Sequence, residues 1–146
     1  MAERTAKAAW EGPVPAGHGT ISLGSGLLEA AYSFGSRFET ATGTNPEELL
    51  GAAAAGCFTM ALSLALTELG YPPSRIDTTA RVAIEKAPEG FRIPSVELHT
   101  DAVVPGIDAE TFLGEAGKAK AGCPVSKALG GTEIRLEAHL KERGAT

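Results

Sequence analysis

From Leu49 to Leu66 the chain reads LLGAAAAGCFTMALSLAL, 18 residues without a charged side chain. That is about the shortest stretch able to cross a bilayer as a helix. It therefore codes for a membrane span or for a helix that other protein must cover. The second reading fits better. Small residues fill its first half, Thr59 and Ser63 interrupt it, and neither an aromatic belt nor flanking Lys or Arg marks an interface. A helix apolar on all sides needs cover on all sides. One sheet has one face to offer, so the segment predicts a sheet along one side and a second chain along the other.

The rest of the sequence supplies that sheet. Thr20 to Leu23 and Leu27 to Tyr32, punctuated by Gly24, Gly26 and Gly35, predict a strand meander that ends at Arg37-Phe38-Glu39. Asn45 as cap, Pro46 at the first turn and Glu47 and Glu48 after it start the long helix. Gly70 and Pro72-Pro73 stop it near Leu69. Ile76 to Ala87 and Phe91 to Val104 alternate with a period of two, joined by a turn at Pro88-Glu89-Gly90. Asp108 caps a helix over Ala109 to Ala121, Cys123-Pro124 opens a short one to Leu129, and Glu133 to Leu140 closes as a strand. These elements predict an α+β fold, with mainly antiparallel sheets around long central apolar helices. The 146 residues fit a single domain, 1–146.

A net charge of −5 with no basic run excludes a nucleic-acid-binding surface. The start, MAERTAKAAW, lacks the apolar core of a secretory signal, which predicts a cytoplasmic protein with no membrane role. The chain has two cysteines, Cys57 and Cys123, and no CxxC pair. Cys57 lies mid-helix, where a cysteine is ordinarily a small buried hydrophobe. Cys123 precedes a Pro-started helix whose N–H groups favour a thiolate, with Lys118, Lys120 and Lys127 nearby. If Cys57 attacks a substrate, a cation from elsewhere must lower its pKa, and Arg37 is available. His18, His99 and His139 show no zinc spacing to each other or to either cysteine, so no metal is expected. A Cys–His hydrolase needs a histidine near Cys57, which spacing neither supports nor excludes.

The run Gly43-Thr44-Asn45-Pro46-Glu47-Glu48-Leu49-Leu50-Gly51-Ala52-Ala53-Ala54-Ala55-Gly56-Cys57-Phe58-Thr59-Met60-Ala61-Leu62 resembles the OsmC/Ohr family. The names stand for osmotically inducible protein C and organic hydroperoxide resistance. Ile76 to Ala80, Val104 to Asp108 and Lys118 to Ser126 extend the resemblance from about Trp10 to Leu140 and place it in the OsmC branch. The resemblance implies an intertwined homodimer and a thiol peroxidase acting on organic hydroperoxides, in oxidative and osmotic stress defence. In it Cys57 becomes a sulfenic acid, Cys123 captures it as a disulfide, and a dithiol or lipoyl-type reductant restores both, with no bound cofactor. It also assigns Arg37 and Glu47 to organising the reactive thiol; Glu48 is the neighbour. Some members carry His or Tyr where this chain has Ala54. Without the motif, Arg37 and Glu47 read as an ordinary surface ion pair. A non-catalytic ligand-binding dimer with two structural cysteines is the remaining alternative.

Helix geometry adds one constraint. Ten residues of straight helix separate Glu47 from Cys57 by about 15 Å. Either the helix breaks at Gly51 or the carboxylate serves a cysteine of a partner chain.

Overall fold

The computed structural model describes residues 1–142. Two compact units divide the chain, one over Met1–Leu49 and one from Leu50 onward.

The first unit is an antiparallel meander of β1 (Ala6–Glu11), β2 (His18–Leu23) and β3 (Glu29–Tyr32). Register places Trp10 opposite Gly19 and Gly19 opposite Tyr32. A Cβ on Gly19 would stand 2.7 Å from the Trp10 ring and 2.6 Å from the Tyr32 ring, so the glycine lets them close over β2. They meet edge to face with centroids 5.2 Å apart. The predicted sheet end at Arg37-Phe38-Glu39 is instead a short helix, α1 (Phe34–Phe38). The cause is local. Ser33 caps it by accepting from the Ser36 N–H at 3.0 Å, and the Ser36 hydroxyl accepts in return from the Ser33 N–H at 2.8 Å.

The long helix, α2 (Pro46–Glu68), starts where the caps predict, with the Asn45 side chain accepting from the Glu48 N–H at 2.7 Å. It ends as predicted at Gly70, whose φ is +92°. It runs through Gly51 without a break. At Gly51 the absent side chain serves contact: a Cβ would sit 3.3 Å from Val82 and 3.6 Å from Ala80.

In the second unit β4 (Arg75–Val82), β5 (Glu85–Ala87), β6 (Gly90–Arg92) and β7 (Ser95–Val103) replace the two predicted long runs. β5 and β6 form their own ribbon around the predicted turn, so each run is interrupted. α3 (Ala109–Gly122) and α4 (Pro124–Ala128) lead to β8 (Glu133–Lys141). The sheet order is β4-β7-β8, antiparallel between β4 and β7 and parallel between β7 and β8. The parallel pair follows from the connection, because a helical crossover returns the chain in the same direction. Val96, Leu98 and Ala102 of β7 bury one face with Phe58, Leu62 and Leu66 of α2 and Phe112 and Ala116 of α3. Charged residues of β7 and β8 take the other face.

Hydroxyls fix the setting of α2 on this sheet. Thr59 donates to the Ala55 carbonyl at 2.7 Å and lies 2.7 Å from the Thr78 hydroxyl, which lies 2.8 Å from that of fully buried Thr100. Thr100→Val removes one end of this chain and is expected to destabilise the protein by about 1–3 kcal/mol. Urea unfolding with an unchanged m-value checks it.

By length and composition α2 is apolar enough to cross a membrane. Its Ala54, Phe58, Leu62 and Leu66 stripe is nevertheless packed in the core of the second unit. Met60 and Leu64 are 78% and 60% exposed, so the all-round burial that its sequence demands is not met within the described residues of one chain.

Candidate functional site

Two clusters of predicted site residues form, one in each unit. In the first unit, Arg37 from α1 grips Glu47 from the first turn of α2. Nε donates to Oε1 at 3.1 Å and to Oε2 at 3.3 Å, and a terminal nitrogen donates to Oε1 at 2.8 Å. Glu47 is 6% exposed. A carboxylate that buried requires a partner, so the surface-pair reading does not apply. Glu48 instead accepts from the Thr44 hydroxyl at 3.2 Å. The Asn45 amide donates to the Ser36 carbonyl at 2.9 Å, and the Ser36 hydroxyl donates to the Thr44 carbonyl at 2.7 Å. These bonds tie α1 to the start of α2 and hold the guanidinium in place. It also lies over the Phe38 ring, 5.3 Å from its centroid.

Beside this pair opens a cleft of about 260 Å³, lined by Trp10, Tyr32, Phe34, Phe38, Val14 and Arg37. Sequence reasoning missed it. Its one legible trace was the four-residue spacing of Phe34 and Phe38, which become neighbours only in a helix, here with centroids 5.0 Å apart.

In the second unit, Cys57 from α2 and Cys123 from the α3–α4 junction interact through their side chains, both as thiols. Burial pushes the Cys57 thiol above its ordinary pKa, the bond from the Val125 backbone opposes this, and Cys123 adds to the rise. Burial acts on Cys123 in the same sense but is outweighed. The Ser126 hydroxyl and N–H, Cys57 and the Val125 backbone together hold its pKa below the ordinary value. Cys123 is the N-cap of α4: its sulfur lies 3.0 Å from the Ser126 hydroxyl and accepts from the Ser126 N–H at 3.4 Å. The thiolate preference read from Cys123-Pro124 has this geometric basis. The serine two places beyond Pro124 has no role in the sequence reading, although a polar side chain at that offset can reach back to the cap, as Ser126 does here.

Ser126→Ala removes one of the bonds that lower the Cys123 pKa. The thiolate fraction of Cys123 at neutral pH then falls, and its alkylation profile moves to higher pH. Iodoacetamide labelling against pH, read residue by residue, checks this; an unshifted profile would contradict it.

The histidine that a hydrolase needs is not supplied by the second unit. His99 and His139 sit on the face of the sheet turned away from α2, among Glu137 and Asp101. His18 of the first unit pairs with Glu11 at 3.3 Å. Ala54 faces the core, 4% exposed.

A family model described as OsmC-like protein matches residues 39–138. The chain is 54% identical over 136 residues to Peroxiredoxin OsmC of Escherichia coli strain K12, covering 92% of this chain and 94% of that protein. The organic hydroperoxide resistance protein OhrB of Bacillus subtilis superposes with a TM-score of 0.71 at 28% identity, over 94% of this chain and 98% of that one. An organic hydroperoxide resistance protein from Elizabethkingia anophelis gives 0.77 at 26% identity, over 97% and 98%.

Proposed function

The chain belongs to the OsmC-like protein family, and from that premise we propose that it is a thiol peroxidase reducing organic hydroperoxides to alcohols through Cys57 and Cys123. The observation that carries this reading is the meeting of two thiols from distant parts of the chain, with Cys123 made the more acidic by Ser126. The Cys57 thiolate attacks the distal peroxide oxygen. The O–O bond breaks, that oxygen stays on sulfur as a sulfenic acid, and the alkoxide leaves and takes a proton to become the alcohol. The Cys123 thiolate then attacks the Cys57 sulfur, a disulfide forms, and hydroxide leaves as water. A dithiol of the lipoyl type returns two electrons, so the cycle needs no bound cofactor.

Arg37 is assigned to stabilising the Cys57 thiolate and the developing alkoxide, and Glu47 to fixing the plane of the guanidinium. Because α2 does not break at Gly51, Glu47 and Cys57 stay about 15 Å apart along its axis. The Arg37–Glu47 pair of one chain therefore serves the cysteine of a second copy, in a homodimer. Cys57, Met60 and Leu64 follow one another at helical spacing, so the apolar stripe bordering Cys57 is the surface that the second copy covers. Residues 1–146 act as one domain within that assembly, in the cytoplasm, in defence against oxidative and osmotic stress.

The aromatic cleft beside Arg37 receives the apolar tail of the peroxide. Steady-state turnover with dihydrolipoamide is expected to be at least tenfold faster, in kcat/KM, on cumene hydroperoxide than on hydrogen peroxide. Comparable values for the two peroxides would remove the cleft from the account.

A further inference from the structure

Sheet register brings together residues that the sequence keeps forty positions apart. On the outer face of the β7–β8 pair, His99 stands opposite Glu137, and Asp101 stands opposite His139. Glu137 lies between the imidazoles, with Oε2 3.4 Å from His99 Nδ1 and Oε1 2.9 Å from His139 Nε2. The two rings are 5.0 Å apart, and one donor atom from each of the three residues falls within 4.8 Å of the others. A metal ion bound by nitrogen or oxygen at about 2.0–2.2 Å needs its donors within roughly 4 Å of each other. Small side-chain rotations of half-exposed residues close that gap.

A second observation concerns Asp101. Its Oδ1 is shielded from solvent and has no hydrogen-bond partner, and it lies 3.7 Å from His99 Nε2. His99 thus turns Nδ1 toward Glu137 and Nε2 toward an Asp101 oxygen that accepts no hydrogen bond. A metal-binding histidine usually presents its second nitrogen to a carboxylate in this way, which fixes the ring and the tautomer. Of the neighbouring cations, Arg135 pairs with Glu133 at 3.1 Å and Glu97 at 3.5 Å, whereas Lys141 approaches that same Asp101 oxygen at 3.8 Å.

We propose that His99, Glu137 and His139 bind one divalent transition-metal ion of borderline softness, with Asp101 orienting His99. Two imidazoles and a carboxylate suit zinc or nickel rather than calcium or magnesium, which take oxygen ligands. All three ligands stand on paired strands, so the ion clasps β7 to β8. The site leaves positions open to solvent and lies on the face of the sheet turned away from α2.

The test uses the full chain with Cys57→Ser and Cys123→Ser, so that no thiolate competes for the ion, titrated with zinc chloride and with nickel chloride by calorimetry. One ion per chain is expected. His99→Gln and His139→Gln each weaken binding at least tenfold, and Asp101→Asn weakens it by a smaller factor. The chain has three histidines; in the NMR spectrum zinc is expected to move the ring signals of His99 and His139 and leave those of His18 in place. Circular dichroism confirms that each variant is folded. Absence of binding at millimolar zinc, or binding that survives both histidine substitutions, overturns the proposal.

Discussion

Cys57→Ser is expected to abolish hydroperoxide consumption, whereas Cys123→Ser retains a single turnover and stops as a Cys57 sulfenate. The asymmetry separates attack from resolution. A serine hydroxyl does not attack peroxide oxygen at neutral pH, so without the Cys57 sulfur the O–O bond is not broken. Without Cys123 that bond still breaks, but the sulfenic acid finds no second thiol in the chain. Local electrostatics in the second unit make Cys123 the more acidic thiol. The opposite result, with activity lost only in Cys123→Ser, would therefore exchange the two roles. Dimedone labelling and intact mass of each variant after one equivalent of tert-butyl hydroperoxide distinguish them.

Arg37→Lys is expected to slow the reaction with peroxide by about a hundred- to a thousandfold, the usual loss when one preorganised donor to a developing oxyanion is removed. Lysine keeps the charge, but it cannot reproduce the planar grip on both oxygens of Glu47 seen at 2.8–3.3 Å. The pH dependence carries a second sign. Burial raises the Cys57 pKa, so its thiolate fraction falls at neutral pH. A guanidinium beside the sulfur favours the charged form and lowers the pKa again. Arg37→Ala, which loses that cation, moves the rise of the pH–rate curve to higher pH. Stopped-flow rates across pH check both effects, and a variant with an unshifted curve and near-normal rate would dissociate Arg37 from the thiol. Arg37→Ala additionally leaves the buried Glu47 carboxylate unpaired, at a cost of about 3–5 kcal/mol of stability.

The helices were legible in the sequence because their ends are written in side chains. Asn45-Pro46, Gly70 and Asp108 act within a turn of themselves, and the structure places α2 and α3 within a residue or two of the expected limits. α1 was misread because Phe34-Gly35-Ser36-Arg37-Phe38 carries no helical preference of its own. Its helix rests on the reciprocal Ser33–Ser36 bonds, a pairing that a strand pattern hides. The parallel pairing of β8 with β7 was equally hidden, since alternation reports which face is buried and not the direction of the partner.

The candidate site divides in the same way. Arg37, Glu47 and the two cysteines came from a motif, not from spacing, and the structure gives each pair a contact within its own unit. Ser126 was within reach of local reasoning. The Trp10–Tyr32 part of the cleft wall and the His99–Glu137–His139 cluster were not, because strand register creates them. His99 and His139 lack zinc-motif spacing for the same reason: the sheet, not the sequence interval, sets their separation.

The most direct measurement is one turnover of the reduced protein with tert-butyl hydroperoxide, counting thiols before and after and locating any disulfide by mass spectrometry. Loss of both thiols with a Cys57–Cys123 disulfide within one chain is the predicted result. Two intact thiols after excess peroxide would contradict the account and leave a ligand-binding dimer with structural cysteines in its place.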